Sequence, residues 1–198
     1  MSDFKPVSVR KLTGSETIFL DAEIDSPTVL EFWRWAFSNL LSNANRGIFA
    51  EFLIARALDL ETGVRDEWAP YDLETEAGLR IEVKASSYLQ SWEQTGFSAI
   101  RFSIQETKSW NTKTRTYSIE SSRQADVYVF ALLTHMDRET VNPLDGTQWE
   151  FYVLPTATLN NAVGNQKSIG LRALRRLCSA CSLVEAKKML EYMASSLS

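Results

Sequence analysis

Residues 125–133, Ala-Asp-Val-Tyr-Val-Phe-Ala-Leu-Leu, constrain the fold of this chain more than any other stretch. The run is almost continuously apolar and rich in β-branched and aromatic residues. A strand of that kind has no face suited to water and must be covered on both sides. Helical spacing elsewhere supplies the cover. Pro27 suits a helix start, and Thr28 to Asn43 carries Leu30, Trp33, Phe37, Leu40 and Leu41 at intervals of three and four. A second helix is expected from about Arg46 to Leu60, stopping near Gly63, with two more at about 167–180 and 183–196. Strands are expected at about 68–74, 79–87, 97–105, 126–134 and 149–154, with polar connections at 107–124 and 136–147. The fold class is therefore α+β or α/β, with one mixed central sheet flanked by helices.

The chain has 198 residues, enough for one well-buried domain and too few for two comfortable ones, and no repeat or Pro/Gly/Ser linker divides it. A single domain over 1–198 is the expectation. No apolar run approaches the length of a membrane span, and Met-Ser-Asp-Phe-Lys-Pro lacks the pattern of a signal peptide, so a cytoplasmic location is expected. Cys178 and Cys181 have CxxC spacing, but no second pair or nearby His completes a zinc site. They read as small buried hydrophobes on a helix. His135 is the one histidine, which argues against His-based chemistry.

Chemistry concentrates in residues 71–84, Tyr-Asp-Leu-Glu-Thr-Glu-Ala-Gly-Leu-Arg-Ile-Glu-Val-Lys. Thr75 to Gly78 reads as a tight hairpin turn between two strands. On the second strand Glu82 and Lys84 share one face, while Ile81, Val83 and Ala85 pack on the other. Hairpin pairing brings Asp72 towards the same polar face. Two carboxylates and an ammonium then converge, as a divalent cation and a scissile phosphate require. On the preceding helix Glu51 sits in a stripe with Gly47, Ile48, Ile54, Ala55 and Leu58. An acid there either forms an ion pair, with Arg56 or another basic group, or reaches the edge of the same pocket.

These residues resemble the PD-(D/E)xK superfamily of restriction-endonuclease-like nucleases. The match rests on Pro70-Tyr71-Asp72, on Glu82-Val83-Lys84 and on Glu51 within Gly47-Ile48-Phe49-Ala50-Glu51. The resemblance implies a core at about 46–134 made of a helix, a three-stranded antiparallel unit, another helix and a further strand. The N-terminal helix and the C-terminal strand and helices would be elaborations. The helix expected after the third strand is not evident in 107–124.

The resemblance also implies Mg²⁺, with Mn²⁺ as a substitute, held by Asp72, Glu82 and the Val83 carbonyl. Glu51 would hold a water or a second ion, and Lys84 would orient water and counter charge on the phosphate. The implied activity is metal-dependent hydrolysis of phosphodiester bonds, endo- or exonucleolytic, in DNA. Restriction, repair and mobile-element processing are the settings in view. The alternative is a non-catalytic nucleic-acid-binding or assembly subunit that keeps a nuclease-like fold. The two differ in whether DNA is cut when metal is added.

The net charge of −4 argues against nucleic-acid binding by the whole surface, but bases outnumber acids in 101–123 and again in 165–188. Lys108, Trp110, Lys113 and Arg115 interleave cations with an aromatic ring in a polar connection, a pattern suited to phosphate contact and base stacking. Arg172, Arg175 and Arg176 fall on one face of the 167–180 helix and are candidates for backbone contacts. Partners expected are DNA, a second copy through an aromatic of the Trp33, Trp35 and Phe37 set, and, from the acidic pI of about 5.2 and the lack of an obvious recognition domain, a DNA-binding subunit.

Overall fold

The computed structural model describes residues 7–61, 63–108, 110–111 and 116–197, with the backbone alone at 110–111 and 116–117. At its centre lies the apolar strand, β6 (Val127–Leu133), with all seven residues buried. It pairs in parallel with β2 (Arg80–Ser87) and antiparallel with β7 (Trp149–Pro155). β1 (Leu73–Glu74) closes the β2 edge, giving the order β1-β2-β6-β7. The fold is the expected mixed central sheet flanked by helices.

Alternation along β6 divides the interior into two layers. Val127, Val129, Ala131 and Leu133 pack against Ile54 of α2 (Asn43–Ala57) and Leu190 of α5 (Leu183–Ser195). Tyr128, Phe130 and Leu132 face the other way. They pack on β3 (Arg101–Ser103), α3 (Thr156–Val163), β8 (Ser168–Gly170) and α4 (Leu171–Leu174). Phe130 is fully buried and meets Phe102 edge-on at 5.1 Å between centroids. Burying one such ring contributes about 1.5–3 kcal/mol.

Parallel strands require a long crossover, and here it departs from expectation. The strand expected at 97–105 contracts to β3, leaves the central sheet and pairs with β8. The free edge of β2 is taken by β6 instead, so the three-stranded antiparallel unit is reduced to the β1–β2 hairpin. In this position Phe102 and Ile104 are buried in the layer that covers Phe130. Among the described residues no helix follows β3 before β6; two-residue strands β4 (Trp110–Asn111) and β5 (Thr116–Tyr117) pair there.

Three other boundaries move. The first strand starts late because Asp66 turns the chain, accepting from the N–H of Trp68 at 2.9 Å through its side chain. The first helix, α1 (Val29–Phe37), stops before Leu40, because Asn39 and Ser42 cap and turn the chain, with Ser42 starting α2. The helix expected at 167–180 is largely replaced by β8 and the four-residue α4, while α3 was not expected. Trp33 packs against Gly14, whose φ of +95° favours glycine, and Trp35 projects into solvent. The Cys178 and Cys181 thiols donate to the carbonyls of Leu174 and Phe151, and burial pushes the Cys178 thiol up to about 11.

Arg123, counted in sequence with a basic stretch, is a buried clamp. Its guanidinium donates to Ile104 O at 2.8 Å, to Asn160 Oδ1 at 2.6 Å and to Gly164 O and Gln166 O at 3.0 Å. It thereby joins the end of β3 to α3 and to the turn before β8. Arg123→Met fills similar space but leaves these acceptors unpaired, and is expected to cost about 3 kcal/mol in urea unfolding.

Candidate active site

The site grows from the hairpin between β1 and β2. Its turn is closed by Gly78 N–H to Thr75 O at 2.8 Å and Thr75 N–H to Leu79 O at 3.0 Å, with Gly78 at φ +84°. Leu73 stands opposite Ile81, and the Asp72 N–H donates to Ile81 O at 3.1 Å, which carries the register back to Asp72 beside Glu82. Asp72 Oδ2 then accepts the N–H of Val83 at 2.7 Å. The backbone between Glu82 and Lys84 therefore fixes the Asp72 carboxylate.

On the other side of β2, Arg80 and Asp126 set the parallel register. Asp126 Oδ2 accepts from Arg80 N and Nε at 3.0 and 2.9 Å, and the Asp126 N–H donates to Arg80 O at 2.9 Å. Glu82 is thereby placed opposite the buried Tyr128. Burial, and then Glu82, push the Tyr128 phenol up. Lys84 Nζ bonds Glu82 Oε1, and both side chains are largely covered.

Helix α2 brings the third acid. Ala50 and Ile54 pack against the β2 core face, so the adjacent positions Ile48, Glu51, Phe52 and Ala55 face a cleft of about 510 Å³ that Asp72 also lines. The start of α2 is held by the buried Arg46, which donates to Leu41 O at 2.7 Å and to Gln90 Oε1 at 3.3 Å. Gln90 in turn donates to Ser87 O at 2.9 Å, tying the helix to the end of β2. Burial pulls the Arg46 guanidinium down to about 10.

Asp72, Glu82, Lys84 and Glu51, separated in sequence, thus meet in one cluster. Burial, and then the charges of Glu82 and Glu51, push the Asp72 carboxyl up to about 7, against the opposing pull of Lys84 and the Val83 N–H. Burial alone would lower the Lys84 ammonium, but Glu82, Asp72 and Glu51 outweigh it and hold the ammonium up. Lys84 is therefore a charged donor beside these carboxylates, not a free amine. In this arrangement each carboxylate has its own partner: Val83 N–H, Lys84 or Arg65. Among the described residues no three acidic, His or Cys side chains are already gathered at cation-holding distances.

Arg65 was not singled out from the sequence. Its Nε donates to Glu51 Oε2 and its Nη2 to Oε1 at 2.9 Å, and Asp72 adds to the field around it. Of the outlying candidates, Lys108, Arg172 and Arg176 are exposed and do not line the cleft. Arg175 donates to Tyr152 Oη at 2.9 Å and Glu150 Oε2 at 3.1 Å. Because α4 ends at Leu174, these three arginines do not share one helix face as expected. Lys113, Arg115 and the Trp110 side chain lie outside the described residues.

A family model described as bacteriophage T4 endonuclease IV matches residues 33–169, a span that holds Glu51, Asp72, Glu82 and Lys84. The chain belongs to the bacteriophage T4 endonuclease IV family and is on that ground a nuclease. No curated protein matches the chain. Among the described residues no helix is long and apolar enough to cross a membrane.

The raised Asp72 carboxyl has a pH consequence. Between about pH 4 and 7 the folded chain keeps a proton that the unfolded chain has lost, so this group's contribution to stability is present at low pH and lost as pH rises through about 7. Asp72→Asn keeps an acceptor for Val83 and removes the charge. It is expected to raise the Tm at pH 8 by about 2–4 °C, the equivalent of ~1 kcal/mol, and by less at pH 4. Calorimetric melting of both proteins at the two pH values checks this.

Proposed function

We propose that this nuclease hydrolyses phosphodiester bonds in DNA with a divalent cation, using a PD-(D/E)xK site of Asp72, Glu82, Lys84 and Glu51. One observation carries the reading: three carboxylates and a lysine share a half-buried cluster, in which the Asp72 carboxyl accepts the Val83 N–H, Glu82 meets Lys84, and burial with the neighbouring acids pushes Asp72 up. Two of them, Glu51 and Asp72, line an open cleft.

The donor set fits Mg²⁺, or Mn²⁺ in its place, because hard cations take carboxylate and carbonyl oxygens and carboxylates at this spacing repel one another until a cation joins them. Asp72, Glu82, the Val83 carbonyl and Glu51 would hold it. The chemistry supplied there is neutralisation of phosphate charge and a lowered pKa of water. Asp72 is positioned by the Val83 N–H, and it must ionise to serve as a ligand. Lys84, kept as an ammonium by its neighbours, orients the attacking water and offsets the negative charge that grows on the phosphate. The exposed Lys108, Arg172 and Arg176 supply phosphate contacts farther along the strand. Trp110, Lys113 and Arg115 belong to the same reading as substrate contacts.

Wild-type protein, Asp72→Ala and Lys84→Ala should be compared on DNA substrates in Mg²⁺, Mn²⁺ and EDTA. The wild type is expected to cut only with metal, and each variant to lose at least about 10²-fold in rate with an unchanged circular dichroism spectrum. Undiminished cutting by both variants would overturn the assignment. Salt-sensitive DNA binding with no cutting by the wild type would instead favour the non-catalytic subunit.

A further inference from the structure

Arg65 lies in the loop between α2 and β1, where its guanidinium faces Glu51 with two donors, one to each carboxylate oxygen. The Arg65 side chain is 39% exposed and that of Glu51 12%. Both residues line the cleft that contains Asp72. The other acid within reach, Glu67, stands 3.9 Å from Nη1. Among the described residues, Arg65 is thus the arginine whose principal partner is a candidate cation ligand. Arg123, Arg80 and Arg175 are committed elsewhere: to backbone carbonyls and Asn160, to Asp126, and to Glu150 and Tyr152.

We propose that Arg65 binds the scissile phosphate, and that its pair with Glu51 is the resting half of an exchange. The proposal rests on the nuclease reading above. A guanidinium fork matches the two oxygens of a carboxylate and two oxygens of a phosphate equally well. While Arg65 donates to both oxygens of Glu51, it takes a lone pair from each and sets a positive charge beside them, which disfavours a cation there. When a phosphate enters the cleft, the fork turns from Glu51 to the phosphate, and Glu51 is released to complete the oxygen ligands. The Arg65 side chain is 39% exposed, so its head can turn from Glu51 towards a phosphate in the cleft without leaving a buried position. Coupling runs both ways: phosphate at Arg65 favours the cation at Glu51, and the cation favours phosphate. Arg65 is then a catalytic residue that also guards the site against a cation without substrate.

The test compares the wild type with Arg65→Ala, Arg65→Gln, which preserves more of the side chain's bulk, Glu51→Gln and Asp72→Ala. Each is titrated with Mn²⁺ alone by calorimetry, and with a DNA oligonucleotide in EDTA across a salt series. Thermal melting confirms folding. Arg65→Ala is expected to bind Mn²⁺ several-fold more tightly, because Glu51 is unmasked. The same variant binds the oligonucleotide more weakly, with a salt slope smaller by about one, and cuts it about 10²–10³-fold more slowly in Mg²⁺. Glu51→Gln moves the opposite way in EDTA: it releases the fork and tightens oligonucleotide binding while weakening Mn²⁺ binding. A merely structural ion pair would lower the Tm in both variants without these opposed shifts. If Arg65→Ala and Arg65→Gln bind Mn²⁺ and oligonucleotide as the wild type does, while Asp72→Ala abolishes metal-dependent cutting, the exchange is overturned and the nuclease site stands. If the wild type binds no Mn²⁺ and cuts no substrate, the site reading fails first and takes the exchange with it.

Discussion

Parallel pairing between β2 and β6 is the constraint on which the rest of this molecule depends. β6 has no polar face, so it must sit inside the sheet and be covered by both layers. That demand draws β2 inward as its neighbour, although β2 carries Glu82 and Lys84 on one face. Arg80 and Asp126 fix the register at the start of both strands. A slip of one residue would turn Glu82 and Lys84 into the apolar layer with Ile54 and Leu190, and would drive Ile81 and Val83 out of it. The charged pair is therefore held by the same alternation that builds the core.

Holding it there is costly. Asp72, Glu82 and Glu51 bring three carboxylates into a half-buried space, and Lys84 and Arg65 do not fully balance them. The cluster tolerates this by dividing its acids: a backbone N–H for Asp72, an ammonium for Glu82 and a guanidinium for Glu51. Even so, Asp72 holds its proton towards neutral pH. Apolar or neutral residues of similar volume would fill such a space at lower cost, and the proposed nuclease chemistry would account for the expense.

Much of the site was legible because it is local. Asp72, the turn at Gly78, and Glu82 and Lys84 follow from a period of two and one hairpin, and Glu51 follows from helical spacing. Arg65 escaped because nothing in a loop of irregular spacing says which acid its side chain will reach; only the cleft between α2 and β1 defines that. Arg123 misled for the opposite reason. Its charge looked like part of a basic surface, but the carbonyls that bury it come from residues 104, 164 and 166, far from it in sequence. β3 reads correctly as a strand but belongs to another sheet: β6 takes the edge of β2, and β3 pairs with β8 with Phe102 packed over Phe130, contacts between segments distant in sequence. The segment at 167–180 has helical composition, yet pairing with β3 extends its first residues.

The family match ends at residue 169, but the geometry of the candidate site within that span leans on the C-terminal helix beyond it. Ala186, Leu190 and Ala194 of α5 pack in the same layer as Ala50 and Ile54 of α2, so α5 backs the helix that presents Glu51. Lys187 reaches Asp59 at 3.1 Å, at the start of the loop that carries Arg65. Asp59 sits at φ 53°, a conformation that turns the chain sharply out of α2. Glu51, on α2 before this turn, and Arg65, in the loop after it, thus lie on either side of a turn that α5 holds through Lys187 and Asp59. The charged side chains that would do the chemistry lie within the matched span, whereas part of what sets the distance between Glu51 and Arg65 lies beyond it.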